Sequence, residues 1–161
     1  MPSAPVPARD RFTQLMASIT KTIEGRALDA ELERDLNTLF PADGETVQIV
    51  REVCERGIQD GWMCSREAGG IKYGRVVKPT ASTHGFSVDV VEMQAVAGPH
   101  HRHPNGEIDL VMPLSPGAQF DGRGAGWVVY GPDSAHSPTV THGRARVLYL
   151  LPAGAIDFTR T

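Results

Sequence analysis

Apolar residues in the first third of the chain recur three and four positions apart, the spacing of one helical face. Phe12, Leu15, Met16, Ile19 and Ile23 form the first such set, with Asp10 placed to cap its start and Gly25 to stop it. The run DAELERDLNTLF sets Leu32, Leu36, Leu39 and Phe40 on one side, and Pro41 ends it. A third run follows Asp43–Gly44. There Val47, Val50, Cys54 and Ile58 share a face, Arg51, Glu52 and Glu55 point away, and Gly57 and Gly61 bracket the end. The pattern predicts a helical region over residues 10–65. The first nine residues hold three prolines and no periodicity, and read as a mobile tail.

Near Trp62–Gly70 the period changes. Gly, Pro and His become frequent and β-branched residues come in short bursts. Strands are expected over Gly70–Val77, Phe86–Met93, Glu107–Met112, Trp127–Tyr130 and Arg144–Leu151. Pro79, Gly98–Pro99, Pro104–Gly106, Pro116–Gly117, Gly122–Gly126 and Gly131–Pro132 punctuate them. Short strands between such turns predict an all-β sandwich or barrel over 66–161. The three helices can pack on that barrel or on a partner chain, and the pattern does not choose.

Composition narrows the function classes. The 161 residues are 40% hydrophobic and 22% charged, which is ordinary for a globular chain. A formal net charge of −3 without a basic run disfavours a nucleic-acid partner. The start, MPSAPVPARDRF, has no signal-peptide pattern, and no stretch is apolar enough to span a bilayer, so a cytoplasmic protein without a membrane partner is expected. Cys54 and Cys64 lie outside any CxxC spacing and read as buried reduced thiols.

The six histidines all fall in the β half, and three of them lie in GPHHRHPNGEID. Side chains alternate along a strand, so His101 and His103 project together while His100 and Arg102 project the other way. The turn at Pro104–Asn105–Gly106 then returns Glu107 to the same neighbourhood. Two imidazoles and a carboxylate suit a divalent first-row ion, and His136, behind the Gly–Pro turn of GPDSAHSP, can supply a fourth donor. Iron, zinc, manganese, nickel and copper all accept such a set. His84 and His142 read as ordinary polar residues.

These residues resemble the cupin superfamily. The first cupin motif reads here as His101-Arg-His103-Pro-Asn-Gly-Glu107 and the second as Pro132-Asp-Ser-Ala-His136. The second is one residue short and carries Ser134 where Gly is common, and the leading glycine of the first is displaced to Gly98. The resemblance covers residues 70–152 and implies a mainly β fold: a single cupin-type barrel with a helical N-terminal region. Members of the superfamily commonly pair, which implies a homodimer.

A narrower resemblance covers the whole chain. HGFSVDVVEMQ, GPHHRHPNGEIDLVMP, GWVVYGPDSAHSPTV and VLYLLPAGAIDF resemble the 4-hydroxylaminobenzoate lyase family of nitroaromatic breakdown. It implies a lyase that converts 4-hydroxylaminobenzoate to 3,4-dihydroxybenzoate with release of ammonia. That chemistry needs an acid for the departing N–O oxygen and a held water. Glu107 and Asp109, two apart on one strand, can raise one another's pKa so that one stays protonated. Asp109 reads equally as an orienting partner of a histidine, and Glu107 as a plain metal ligand. For the substrate carboxylate the candidate cations are Arg66, Lys72, Arg75 and Arg102. For its ring the candidate walls are Phe86, Trp127, Tyr130 and Tyr149, of which Trp127 and Tyr130 are carried forward. Two other readings of the same residues remain open: a metal-dependent dioxygenase and a non-catalytic ligand-binding module.

Overall fold

The structure is a computed structural model that describes residues 8–158. The expected mobile tail lies outside the described residues up to position 7, while Ala8 and Arg9 already belong to the first helix. Three helices come first: α1 (Ala8–Ile23), α2 (Ala30–Leu39) and α3 (Glu45–Asp60). The strands follow as β1 (Arg66–Ala68), β2 (Ile71–Val77), β3 (Phe86–Gln94), β4 (His101–His103), β5 (Glu107–Pro113), β6 (Gln119–Phe120), β7 (Gly126–Tyr130), β8 (Ser134–His136), β9 (Val140–Thr141), β10 (Arg144–Pro152) and β11 (Asp157–Phe158). A six-stranded antiparallel sheet runs β1-β2-β3-β10-β5-β7, a three-stranded one β11-β4-β8, and β6 pairs β9. None of the described helices is long and apolar enough to cross a membrane.

Both faces of the large sheet are covered, which is why its central strands read as near-continuous apolar runs. Val88, Val90, Ile108, Leu110, Trp127, Leu148 and Leu150 meet the helices, in one core with Phe12, Met16, Ile19, Leu32, Leu36, Val47 and Val50. The alternate positions, Val91, Met93, Val111, Val128, Val147 and Tyr149, form the barrel interior with Phe120 and Val140. The helices therefore pack on the barrel of their own chain.

Local signals account for the helix ends. Asp29 caps α2, its side chain accepting from Leu32 N at 2.9 Å. Gly61 ends α3 in the left-handed conformation with φ +85°. Asp10 sits inside the first turn of α1 rather than at its cap. Leu39 departs from the expected apolar face and is 57% exposed, because α2 meets the sheet through Leu32 and Leu36. Both cysteines are free and buried, and burial pushes each thiol up to about 12, so neither is a thiolate near neutrality.

Helix α2 also closes the edge of the sheet at β7. The Asn37 side chain accepts from Trp127 N at 2.9 Å and donates to Trp127 O at 3.0 Å. Glu33 Oε1 accepts from Val129 N at 3.0 Å. A side-chain amide thus stands where a neighbouring strand would otherwise pair. Asn37→Ala leaves both Trp127 groups without these partners. We expect it to destabilise the fold by about 1–3 kcal/mol in urea denaturation, with the secondary structure retained. A loss below a few tenths of a kcal/mol would show that this edge is not held by α2.

Candidate metal centre

Backbone register assembles the cluster. In the β4–β8 ladder His101 stands opposite His136, and His103 opposite Ser134, so the two strands present three imidazoles to the interior. The chain then reverses at residues 103–106, where Gly106 N donates to His103 O at 3.2 Å. Gly106 has φ +88°, and a side chain there would meet Tyr130 O at 2.7 Å, so this turn requires glycine. Beyond it, β5 starts with Glu107 pointing inward. His101 is 2% exposed, and His103 and Glu107 are completely buried. The three ring centroids form a triangle with sides of 4.7, 4.7 and 4.8 Å.

One donor atom from each of His101, His103, Glu107 and His136 lies within 4.8 Å of the other three. His103 Nε2 is 3.1 Å and His136 Nε2 3.6 Å from Glu107 Oε2, and His101 Nε2 is 3.8 Å from Glu107 Oε1. Yet His103 Nε2 and both Glu107 oxygens are buried without an aligned hydrogen-bond partner. Convergent buried donors with unused lone pairs are what a cation needs.

The outer ring nitrogens explain why the inner ones are free. His101 Nδ1 lies 3.2 Å from Pro99 O, and a carbonyl can only accept. Ser134 Oγ donates to Gly131 O at 2.6 Å, which leaves its lone pair to accept from His103 Nδ1 at 2.9 Å. His136 Nδ1 donates to Asp121 Oδ2 at 2.6 Å. Each partner assigns the proton to Nδ1 and turns Nε2 inward, the arrangement of a metal-binding imidazole. His101 Nε2 and His136 Nε2 are 3.1 Å apart, so a proton or a cation must lie between their lone pairs.

The charges follow the same logic. Burial lowers His101, and the neighbouring His136 and His103 add to that against the pull of Glu107. Burial would also lower His136, but its hydrogen bond to Asp121 and the nearby Glu107 carboxylate outweigh it and raise the ring to about 9. Burial would raise Glu107, but the His103 and His136 rings close to its carboxylate outweigh it and hold the group down to about 2. Asp109 goes the other way: complete burial first, then the Glu107 charge, raise it well above the ordinary carboxylate range. Asp109 faces Tyr149 on one side and Val128 on the other. Both Asp109 oxygens are, like those of Glu107, buried without an aligned hydrogen-bond partner.

The expected site residues divide by face. His101, His103, Glu107, Asp109 and His136 come together. Tyr130 stands opposite Glu107 on β7 and donates to Asp121 Oδ2 at 2.6 Å. Arg75 also faces inward, in a row Arg75–Asp89–Tyr149–Asp109 across the sheet, and pairs with both Asp89 oxygens at 2.8 and 3.3 Å.

Three expectations fail. Trp127 is 2% exposed on the helix face, with Nε1 donating to Phe40 O at 2.9 Å, because it sits one position out of phase with Tyr130. Lys72 pairs in register with Glu92 on the helix-facing side, beside α3. Arg102 points out of the barrel and binds Asp133 and Asp157. Hollows of about 380 and 340 Å³ lie at the α3 seam, lined by charged residues such as Arg51, Glu55 and Arg146, and share no residue with the cluster.

Sequence reasoning missed Asp121, which binds His136, Tyr130 and Thr139 N together. Its only sequence mark is an Asp–Gly turn, the commonest of signals. His84 and His142 stand outside the cluster as expected: His84 bonds Thr20 Oγ1 through Nδ1, and His142 occupies a left-handed turn.

In protein stripped of divalent ions, His136 is expected to titrate near pH 9 by histidine NMR, with the signal absent in His136→Gln. Its folded pKa lies above the unfolded 6.5, so its stabilising contribution is complete below about pH 6.5 and is lost as pH rises through about 9. A midpoint near 6.5 would mean that Asp121 and Glu107 do not bracket this ring.

Comparison with known proteins gives the family. The family described as PnbB, 4-hydroxylaminobenzoate lyase, matches residues 14–158. A 4-hydroxylaminobenzoate lyase of Pseudomonas putida is 32% identical over 167 aligned positions, covering 93% of this chain and 95% of that protein. One from Nocardioides sp. is 33% identical, covering 86% and 88%. Among solved structures, an RmlC-like cupin protein of Ralstonia eutropha aligns over 60% of this chain and 64% of its own, at 10% identity and a TM-score of 0.45. With helices and barrel both inside the matched span, this chain belongs to the 4-hydroxylaminobenzoate lyase family.

Proposed function

We infer that this chain converts 4-hydroxylaminobenzoate to 3,4-dihydroxybenzoate and ammonia at the His101–His103–Glu107–His136 cluster. The observation that carries the reading is the pairing, at one buried point, of a cation-binding set with a second, completely buried carboxyl, Asp109, two positions along the same strand. Family membership supplies the substrate class. Cytoplasmic residence and pairing of two copies are proposed with the same reading, the pairing from the resemblance of residues 70–152 to the cupin superfamily.

The donors fit a divalent ion, since three imidazoles turn Nε2 toward the Glu107 carboxylate, and its oxygens and His103 Nε2 have no aligned hydrogen-bond partner. A bound ion would supply Lewis acidity and lower the pKa of a water held there. Asp109 is the acid: it gives its proton to the hydroxylamine oxygen, the N–O bond breaks, and that oxygen leaves as water. The ring becomes electron-poor at the carbon next to the C–N carbon. Asp109, now a carboxylate, takes a proton from the water that adds there. A second water adds at the carbon bearing nitrogen and ammonia departs. Loss of the ring proton then restores aromaticity. One water leaves and two enter, so the net reaction consumes one. Nitrogen is reduced at the expense of ring carbon, with no external oxidant. Arg75, on the same interior face as Asp109, is the cation proposed to hold the substrate carboxylate, through Nη1, since Nε and Nη2 already bond Asp89 and Gly154.

Ammonia release from 4-hydroxylaminobenzoate tests the reading directly. His103→Ala is expected to abolish release and to cut bound metal while the protein stays folded. Asp109→Asn is expected to lower release by about 10²–10⁴-fold with metal content unchanged. Metal uptake by the ion-free protein at pH 8 should release about one proton, from His136. Oxygen consumption in step with turnover would turn the reading to a dioxygenase. Full activity in both variants would remove the reaction from this cluster.

A further inference from the structure

We propose that Phe158 is the aromatic wall of this site, stacking on the ring of the bound acid and setting the preference for aromatic substrates. The inference rests on the reading of the cluster as the lyase site.

Register places the ring there. Strand β11 pairs β4 with Phe158 directly opposite His101 and Asp157 opposite Arg102. Opposed residues of an antiparallel pair share a face. Phe158, His101 and His136 therefore form one row across the three strands, on the interior side. The Phe158 ring centroid lies 5.7 Å from that of His101, with the planes at 65°.

Exposure along the row shows where a ligand would approach. His101 is 2% exposed, Glu107 is completely buried and the His136 side chain is 13% exposed, whereas Phe158 is 64% exposed. Among the described residues it is the most exposed large hydrophobic side chain, beside a candidate metal ligand. Leaving one phenyl face in water is unfavourable, and a flat aromatic ring laid against it removes that surface from solvent. An aliphatic acid would cover less of it.

Two arginine side chains hold the segment that carries this ring. Arg102 on β4 bonds Asp157 at 2.7 Å and also Asp133, in the turn before β8. One guanidinium thus clamps both flanking strands to β4. Arg75 donates to Gly154 O at 3.2 Å, in the turn leading to β11. The cation proposed for the substrate carboxylate therefore anchors the segment that carries the ring.

The test uses the metal-loaded full chain with Phe158→Ala, Phe158→Leu and Phe158→Trp. Expected for Phe158→Ala is a rise of about 10- to 100-fold in KM for 4-hydroxylaminobenzoate, with kcat falling by less than KM rises. Benzoate, titrated calorimetrically as a probe, should lose affinity by a similar factor. Phe158→Leu should lie between, and Phe158→Trp should stay near the parent. Metal content and sedimentation should not change.

Parent-like KM and benzoate affinity in Phe158→Ala would overturn the inference and leave the lyase reading standing. Loss of metal would overturn it in favour of a support role for His101, and a change in sedimentation would overturn it in favour of a covered subunit contact. If the parent binds benzoate, loses that binding in Phe158→Ala, and yet releases no ammonia, the aromatic wall stands and the lyase reading falls. A parent that releases ammonia but binds no benzoate, with an unchanged KM in Phe158→Ala, also overturns the wall.

Discussion

The pairing of β4 with β8 in a single register is the constraint on which the candidate site depends. His101 opposite His136 and His103 opposite Ser134 set three imidazoles on one face. A slip of one residue would turn Arg102 inward and both ligand histidines outward. Several contacts resist that slip. His103 O accepts from both Asp133 N and Gly106 N, so the turns at either end are tied to the same carbonyl. Arg102 locks the outer face through Asp133 and Asp157.

The large sheet lets this small chain bury so much polarity. Its outer face packs on three helices and carries the bulk of the apolar core. The inner face is thereby free to hold Glu107 and Asp109 at complete burial. Unpaired buried charge is strongly unfavourable. It is tolerated here because the cluster divides the load: burial and the Glu107 charge drive Asp109 toward its neutral form, Glu107 stays charged, and positive charge sits at His136 or at an ion among the Nε2 atoms. The opposite shifts of two carboxyls two residues apart are one electrostatic fact, since ionising the first makes ionising the second costly.

Asp121 joins the short strands to this centre. Its backbone exchanges a bond with Thr139, and its carboxylate collects His136 Nδ1, Tyr130 Oη and Thr139 N. It occupies the left-handed region with φ +50°, which is costly for a residue other than glycine. Three hydrogen bonds to one carboxylate offset that cost. Ser134 has a role of the same kind: its hydroxyl fixes the tautomer of His103.

What could be read from the chain alone was whatever depends on neighbours in sequence. The helical faces follow from a period near 3.6, and the inward pair His101 and His103 from a period of 2. The return of Glu107 follows from a turn that needs Gly106. Each of these is settled within a few residues by backbone geometry. The side of the large sheet that meets the helices is different. It depends on β10 inserting between β3 and β5, a pairing across more than thirty residues. Trp127 and Tyr130 are equally aromatic on the page, and only that assembled sheet sends one to the helices and the other to the cluster. Asp121 and Phe158 carry no local mark either. Their roles arise from chain segments that meet only when the barrel closes, because side-chain direction is a local property and side-chain company is not.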